Sequence, residues 1–272
     1  IGVIMNLARQ HFQKHQAKEA AEKAAEFGAM QDMTAFELQM MQLNNDRQRL
    51  KQIQSTDAKV VLKKALLPNH LPYVEGILEA DKSIQDEVFM TVLVWCIDVG
   101  DYAKALELAE FALRHNMIMP DAFKRNTATY VIETIAEAFL KQLKTDAAVD
   151  ISVLEQVEQL ILNPDLDPKV LDMPNQAKAK LYLALGKATV KLIQSKDEPS
   201  DADLAHAQSA EAYLTSAFEL DEKSGALGEM KATKKFLDKF ADRLPKQPEP
   251  LLNADGSQVV DDQGHLVYKT TE

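Results

Sequence analysis

Residues 66–80 read Leu-Leu-Pro-Asn-His-Leu-Pro-Tyr-Val-Glu-Gly-Ile-Leu-Glu-Ala. Pro68 and Pro72, four residues apart, cannot both sit inside one continuous helix: each lacks an amide donor, and its ring clashes with the preceding turn. The stretch therefore divides the chain. Before it lie long, polar helical patterns. After it comes a run of short amphipathic ones, and together these predict an all-α protein.

Upstream, residues 3–31 predict a helix that ends near Gly28. Its Ala-Lys-Glu-Ala-Ala-Glu-Lys-Ala-Ala-Glu-Phe segment (17–27) is almost entirely strong helix former, with little apolar surface to bury. A second helix is expected from an N-cap at Thr34 to Leu67. Along it Phe36, Leu43 and Leu50 recur every seven residues, as do Ile53, Val60 and Leu67, the two sets offset by three. This is a partial coiled-coil seam, interrupted by Asp46, Asp57 and Lys64, and it marks these six residues as candidates for oligomerisation. The plainer reading is that the helix packs against its own body.

Downstream, the apolar periodicity predicts helices over roughly 72–80, 83–99, 101–115, 127–143, 152–162, 174–196, 200–220 and 225–243. Ser83, Asp101 and Ser200 suit N-caps. Residues 84–99 and 103–115 form a helical hairpin about Gly100-Asp101-Tyr102, with Ala105, Ala109 and Ala112 at the crossing. A second pair, 177–194 with 202–220, alternates small and large residues as TPR hairpins do, though the period is not constant. Beyond Leu244 come a Pro-rich linker (245–250) and two alternating stretches, 257–260 and 265–269, about an Asp-Asp-Gln-Gly turn. These predict a short β-hairpin. The expected organisation is an N-terminal helical region (1–67) with the oligomerisation seam, a TPR-like helical body (68–244) and a linker with a tail (245–272).

Composition agrees. Nine Gly, ten Pro and 6% aromatic residues in 272 argue against sandwiches and barrels. A single Cys forms no internal disulfide and points to a reducing compartment. No apolar run approaches the ~18 residues of a membrane span, and no signal peptide is legible.

Charge is unevenly placed. The net charge is −11, but residues 1–67 hold ten Lys/Arg against seven Asp/Glu, whereas 68–272 hold 21 against 35. Residues 47–64 carry Arg47, Arg49, Lys51, Lys59, Lys63 and Lys64 against Asp57 alone. Such a segment can bind phosphates, while an acidic body repels them. A solvated helix face is the alternative.

Catalytic signatures are sparse. Gly186-Lys187-Ala188-Thr189 resembles the end of a P-loop, but Leu181 stands where its first Gly belongs. His11 and His15, four apart, lack a third ligand. The densest acidic group is Asp197-Glu198 with Asp201, Asp203 and His206. It falls at an expected helix start, where acids serve as caps and complement the helix dipole. Pro120-Asp121 lacks the Glu-x-Lys strand of a restriction-type nuclease. Trp95 and Cys96 read as core. No catalytic residue, metal site or cofactor is expected.

Residues 66–79 resemble the signature of the small terminase subunit of P-two-type tailed phages. The resemblance continues through residues 90–113 and Met117-Ile118-Met119-Pro120. It also takes in Leu7-Ala8-Arg9-Gln10-His11-Phe12 and the helix over 36–67, covering about residues 5–240. It implies a protein that recognises the packaging start on double-stranded phage DNA, commonly as a ring. It further implies hand-over of that DNA to a large ATPase-nuclease subunit, in the host cytoplasm and outside the mature virion. DNA contacts would then fall on the six basic residues of 47–64, helped by Arg9 and Lys14. The family is often labelled an endonuclease subunit, and Mg²⁺ would be required only if that activity were intrinsic. A TPR-like scaffold with no nucleic-acid role is a further alternative. The acidic tail departs from the basic tails of some members.

Overall fold

A computed structural model describes residues 2–27, 33–145, 148–193 and 198–244. Among them are eleven α-helices and no strand: α1 (Gly2–Phe27), α2 (Met33–Lys51), α3 (Thr56–Leu66), α4 (Leu71–Ala80), α5 (Glu87–Val99), α6 (Tyr102–Arg114), α7 (Thr127–Gln142), α8 (Ile151–Ile161), α9 (Asn175–Ile193), α10 (Asp201–Leu220) and α11 (Leu227–Asp238). The linker and expected β-hairpin of 245–272, Gly28 and Asp197 lie outside the described residues.

Helix α5 is the centre. Val88 through Ile97 are all buried, because α2, α3, α4, α6 and α7 pack around it. A helix apolar on every side is stable only when so enclosed. Asp86 begins it. One carboxylate oxygen accepts from the Phe89 amide at 2.8 Å and the other from the Tyr73 hydroxyl at 2.7 Å, tying α4 to α5. Burial raises the Asp86 pKa above the usual carboxylate value, against the lowering effect of these bonds. The expected cap at Ser83 is thus displaced by three residues. Asp101 and Ser200 do cap their helices, and Ser200 forms a full capping box with Asp203. Gly100 closes α5 at φ 78°, a left-handed conformation that suits a residue without Cβ.

Around this centre, α6 turns Ala105, Ala109 and Ala112 inward, all fully buried. Helices α5 with α6 and α9 with α10 form the two expected hairpins, while α7 and α8 pack on α9 instead of repeating the pattern. Glu133 of α7, almost buried, is held by Arg125 at 2.7 Å and by Lys180 of α9. Helix α1 lies along α4. At the crossing, a Cβ on Gly76 would stand 2.3 Å from the Lys14 carbonyl oxygen, so only glycine permits this approach.

One correction concerns the segment 34–67. It is two helices, not one. The chain leaves α2 after Lys51 and restarts at Thr56, with the Ser55 hydroxyl accepting from the Ala58 amide at 3.3 Å.

Candidate nucleic-acid interface

The break at 52–55 folds the basic segment back on itself. Helices α2 and α3 both pack against α5, and Arg47, Lys51, Lys59 and Lys63 line one wall of an open groove of about 970 Å³. The facing wall comes from α5 (Glu87, Thr91, Asp98) and from residues 118–123; Trp95 and Phe36 supply apolar lining.

The cations differ in what they already hold. Arg47 places Nη1 2.6 Å from Glu87 Oε1 and donates from Nη2 to Thr91 Oγ1 at 2.8 Å. Lys63 pairs with Asp98. These two residues clamp α2 and α3 to α5. Arg49 is exposed but lies 2.9 Å from Asp46. Lys14 pairs with Glu79 at 2.8 Å across the α1–α4 contact; that bond holds the lysine pKa above its usual value and the glutamate below. Among the described residues Arg9, Lys51, Lys59 and Lys64 have no ion-pair partner. Lys51 and Lys64 are exposed and Lys59 half-buried at the mouth of the groove. Arg9 is exposed on α1, and neither it nor Lys14 lines the groove.

The six seam residues separate likewise. Leu43, Leu50 and Leu67 are buried in the protein's own core, while Phe36, Ile53 and Val60 are half-buried. Leu38 and Met41, one turn apart on α2, are 60% and 64% exposed.

Sequence reasoning missed the network beneath. His70 is fully buried. Its Nδ1 accepts from Gln39 Nε2 at 2.7 Å, so the ring proton sits on Nε2, which donates to Asp46 Oδ2 at 3.1 Å. The Trp95 ring stands edge-on 5.6 Å away. Burial lowers the His70 pKa, outweighing the Asp46 carboxylate. Arg49, Asp46, His70 and Gln39 thus join the basic end of α2 to the Pro-bounded turn. A lone His between two prolines was the only trace of this in the sequence.

The acidic group near residue 200 is occupied. Asp203 Oδ2 accepts from the Ser200 amide at 2.8 Å and its hydroxyl at 2.7 Å, and Asp201 lies 2.8 Å from Arg243. His15 is 3.8 Å from Glu19. Cys96 is buried, and burial pushes its thiol up to about 12. Among the described residues no three of His, Cys, Asp and Glu converge on a point, and no helix is long and apolar enough to cross a membrane.

Comparison with known proteins brings this geometry into context. The model of a family described as phage small terminase subunit matches residues 40–169, the span that holds nearly all of the groove. A protein of Escherichia phage P2 named "Terminase, endonuclease subunit" is 30% identical over 243 residues, which are 89% of this chain and 87% of that protein. A protein of Haemophilus phage HP1 (strain HP1c1) named "Probable terminase, endonuclease subunit" is 25% identical over 213 residues, 75% and 73% of the two chains. No solved structure matches.

Proposed function

The chain belongs to the phage small terminase subunit family, and from that premise we propose that it recognises the packaging start on viral DNA. In this reading it assembles with copies of itself in the host cytoplasm and presents the DNA to a large ATPase-nuclease subunit. The observation that carries the proposal is that Lys51 at the end of α2 and Lys59 and Lys64 on α3 have no ion-pair partners among the described residues, in a chain whose net charge is −11. Unneutralised lysines displace condensed counterions from phosphates; Arg47 and Lys63 already face carboxylates and have less to gain. Arg49, Arg9 and Lys14 extend the patch. The Arg49 ion pair to Asp46 links it to His70 and so to the rigid turn at 67–70.

The names of the relatives favour a second reading, a metal-dependent endonuclease. Against it, Asp201 and Asp203 are held by Arg243 and Ser200, so the proposed role is recognition without intrinsic cleavage and without a cofactor. The experiment is a mobility-shift titration with a duplex carrying the phage end site, repeated across salt. Specific binding with a steep salt slope is expected. Equal affinity for unrelated duplex at every salt concentration contradicts site recognition.

A further inference from the structure

We infer that residues 251–262 return to the body of their own chain and occupy the apolar cleft where α9, α10 and α11 meet, with their acids along a row of lysines on α11.

The cleft measures about 330 Å³ and is lined by Val190 and Ile193 of α9, Ala207 of α10, and Ala232 and Phe236 of α11. Ala207 and Ala232 leave it open, since neither side chain is long enough to reach across. Its two polar residues are already served. Thr233 Oγ1 donates to the Glu229 carbonyl at 2.9 Å, and the Glu229 carboxylate lies 3.5 Å from Lys187. The rest of the lining is apolar, so an aliphatic side chain gains by leaving water there.

The row beside it on α11 is basic. Lys231, Lys235 and Lys239 follow at four-residue intervals, each one position before Ala232, Phe236 and Phe240, so they run along the edge of the cleft. All three are exposed, and among the described residues none has an ion-pair partner. A segment that fits this surface carries apolar side chains and acids side by side.

The chain delivers such a segment to this place. Leu244, where the described residues end, packs against the cluster of Ile193, Ala207 and Leu237, which shares Ile193 and Ala207 with the cleft. Arg243 fixes the exit, donating to the Pro199 carbonyl at 2.9 Å and lying 2.8 Å from Asp201. Residues 245–272 follow. From 251 to 262 they read Leu-Leu-Asn-Ala-Asp-Gly-Ser-Gln-Val-Val-Asp-Asp: two apolar pairs, three acids and no Lys or Arg. The six residues 245–250 reach up to about 20 Å, and the cleft runs about 10 Å along α11 from Phe236 to Glu229. Leu251 and Leu252 are therefore within reach, at an effective concentration on the order of millimolar that no free acidic peptide matches. Seated there, the segment neutralises the α11 lysines and withdraws them from phosphates.

The test uses the full chain. A diazirine-bearing aliphatic residue replaces Leu252, and crosslinks are mapped in a mixture of isotopically heavy and light protein. Lysine acetylation is followed in parallel, with exposed Lys169 as reference. Expected are crosslinks from position 252 to α9 or α11 of the same chain. Lys231, Lys235 and Lys239 should react at least about threefold more slowly than in Leu251→Ser with Leu252→Ser, and Lys169 equally in both. Ala232→Glu alters an exposed side chain; it should abolish the crosslink and leave the melting temperature unchanged. Lys231→Glu with Lys235→Glu and Lys239→Glu should lower the crosslink yield at least about threefold at low salt, a difference that shrinks at high salt. Crosslinks only between heavy and light copies, crosslinks to other helices, or full crosslinking in Ala232→Glu overturn the seat. Equal lysine reactivity in the native chain and the double serine variant overturns it as well. So does protection of these lysines only when duplex is added, which assigns the row to DNA.

Discussion

The Nε2 of His70 donates to Asp46 Oδ2 across 3.1 Å in a site closed to solvent, joining the middle of α2 to the turn between α3 and α4. Replacing His70 with Leu strands the buried Asp46 carboxylate with Arg49 as its remaining partner. Such a loss costs about 3 kcal/mol, read as a lower urea midpoint with unchanged slope. The pH dependence follows from the lowered His70 pKa. The unfolded chain takes up its proton near 6.5, and the folded one only at lower pH. Stability from this group is therefore full above about 6.5 and is lost as pH falls from there through the folded value. The difference in midpoint between the native chain and His70→Leu should narrow over that window; a constant difference would show that the ring does not titrate there.

Gly76→Ala places a methyl where the Lys14 carbonyl would be 2.3 Å away and Ala17 Cβ 2.8 Å. Both obstacles belong to α1, and the first is backbone, so the helix must shift bodily. Overpacking of this kind costs about 1–3 kcal/mol. Hydrogen exchange should show α1 losing protection while α5 and α6 keep theirs. Unchanged protection along α1 would mean that α4 moves instead.

Most helix positions were legible because the body buries one face of each element, and the 3.6-residue period records that directly. The break in α2–α3 was not. No Gly or Pro occupies 52–55, and the Ser55 cap looks like any helix serine. Its trace is the three-residue offset between Phe36/Leu43/Leu50 and Ile53/Val60/Leu67, which falls at the break between the two helices. The basic residues were legible as a set, but their pairing was not. The periodicity of α2 says nothing of Glu87, forty residues on, which holds Arg47. The groove needed the fold, since α5 and residues 118–123 meet only through the α5–α6 hairpin.

Self-association is expected to follow the surface and not the buried heptad. Leu50 is 8% exposed, so Leu50→Asp buries a charge. It should unfold the N-terminal helices at a cost of about 3 kcal/mol or more. Leu38→Asp with Met41→Asp alters only exposed side chains and should leave the melting temperature unchanged. Light scattering should give an oligomer for the native chain and a smaller species for this double variant. A native monomer at micromolar concentration would remove self-association from the proposed function.

DNA affinity should depend on the lysines without acidic partners. Reversing Lys51, Lys59 and Lys64 to Glu removes three phosphate contacts, and at about 0.9 per contact on duplex DNA the salt slope should fall by roughly 2–3. Arg47→Ala should do less to the slope and more to stability, because its guanidinium is bonded to Glu87 and Thr91. An unchanged slope in the triple variant would place the DNA elsewhere on the molecule.

The purified chain is expected to leave DNA uncut in Mg²⁺ or Mn²⁺. Hydrolysing a phosphodiester requires a clamp on the charge that builds on the phosphate, and a divalent cation supplies it only where several carboxylates converge at ~2.0–2.6 Å. In the densest acidic group, Asp203 spends one oxygen on the Ser200 amide and hydroxyl, completing the start of α10. Asp201 faces Arg243, whose guanidinium also donates to the Pro199 carbonyl at 2.9 Å. Recruiting these two acids to a metal would undo the cap and the contact to the end of the helical body together. The surroundings add to the difficulty, since residues 68–272 hold 21 basic against 35 acidic side chains and repel a polyanion. The measurement is nicking of a plasmid carrying the end site by nuclease-free protein, alone and with the large subunit. Cleavage should require the large subunit and should survive Asp201→Ala, which costs only the Arg243 contact. Cutting by the chain alone that persists through repurification and vanishes in Asp201→Ala with Asp203→Ala would place the nuclease here instead.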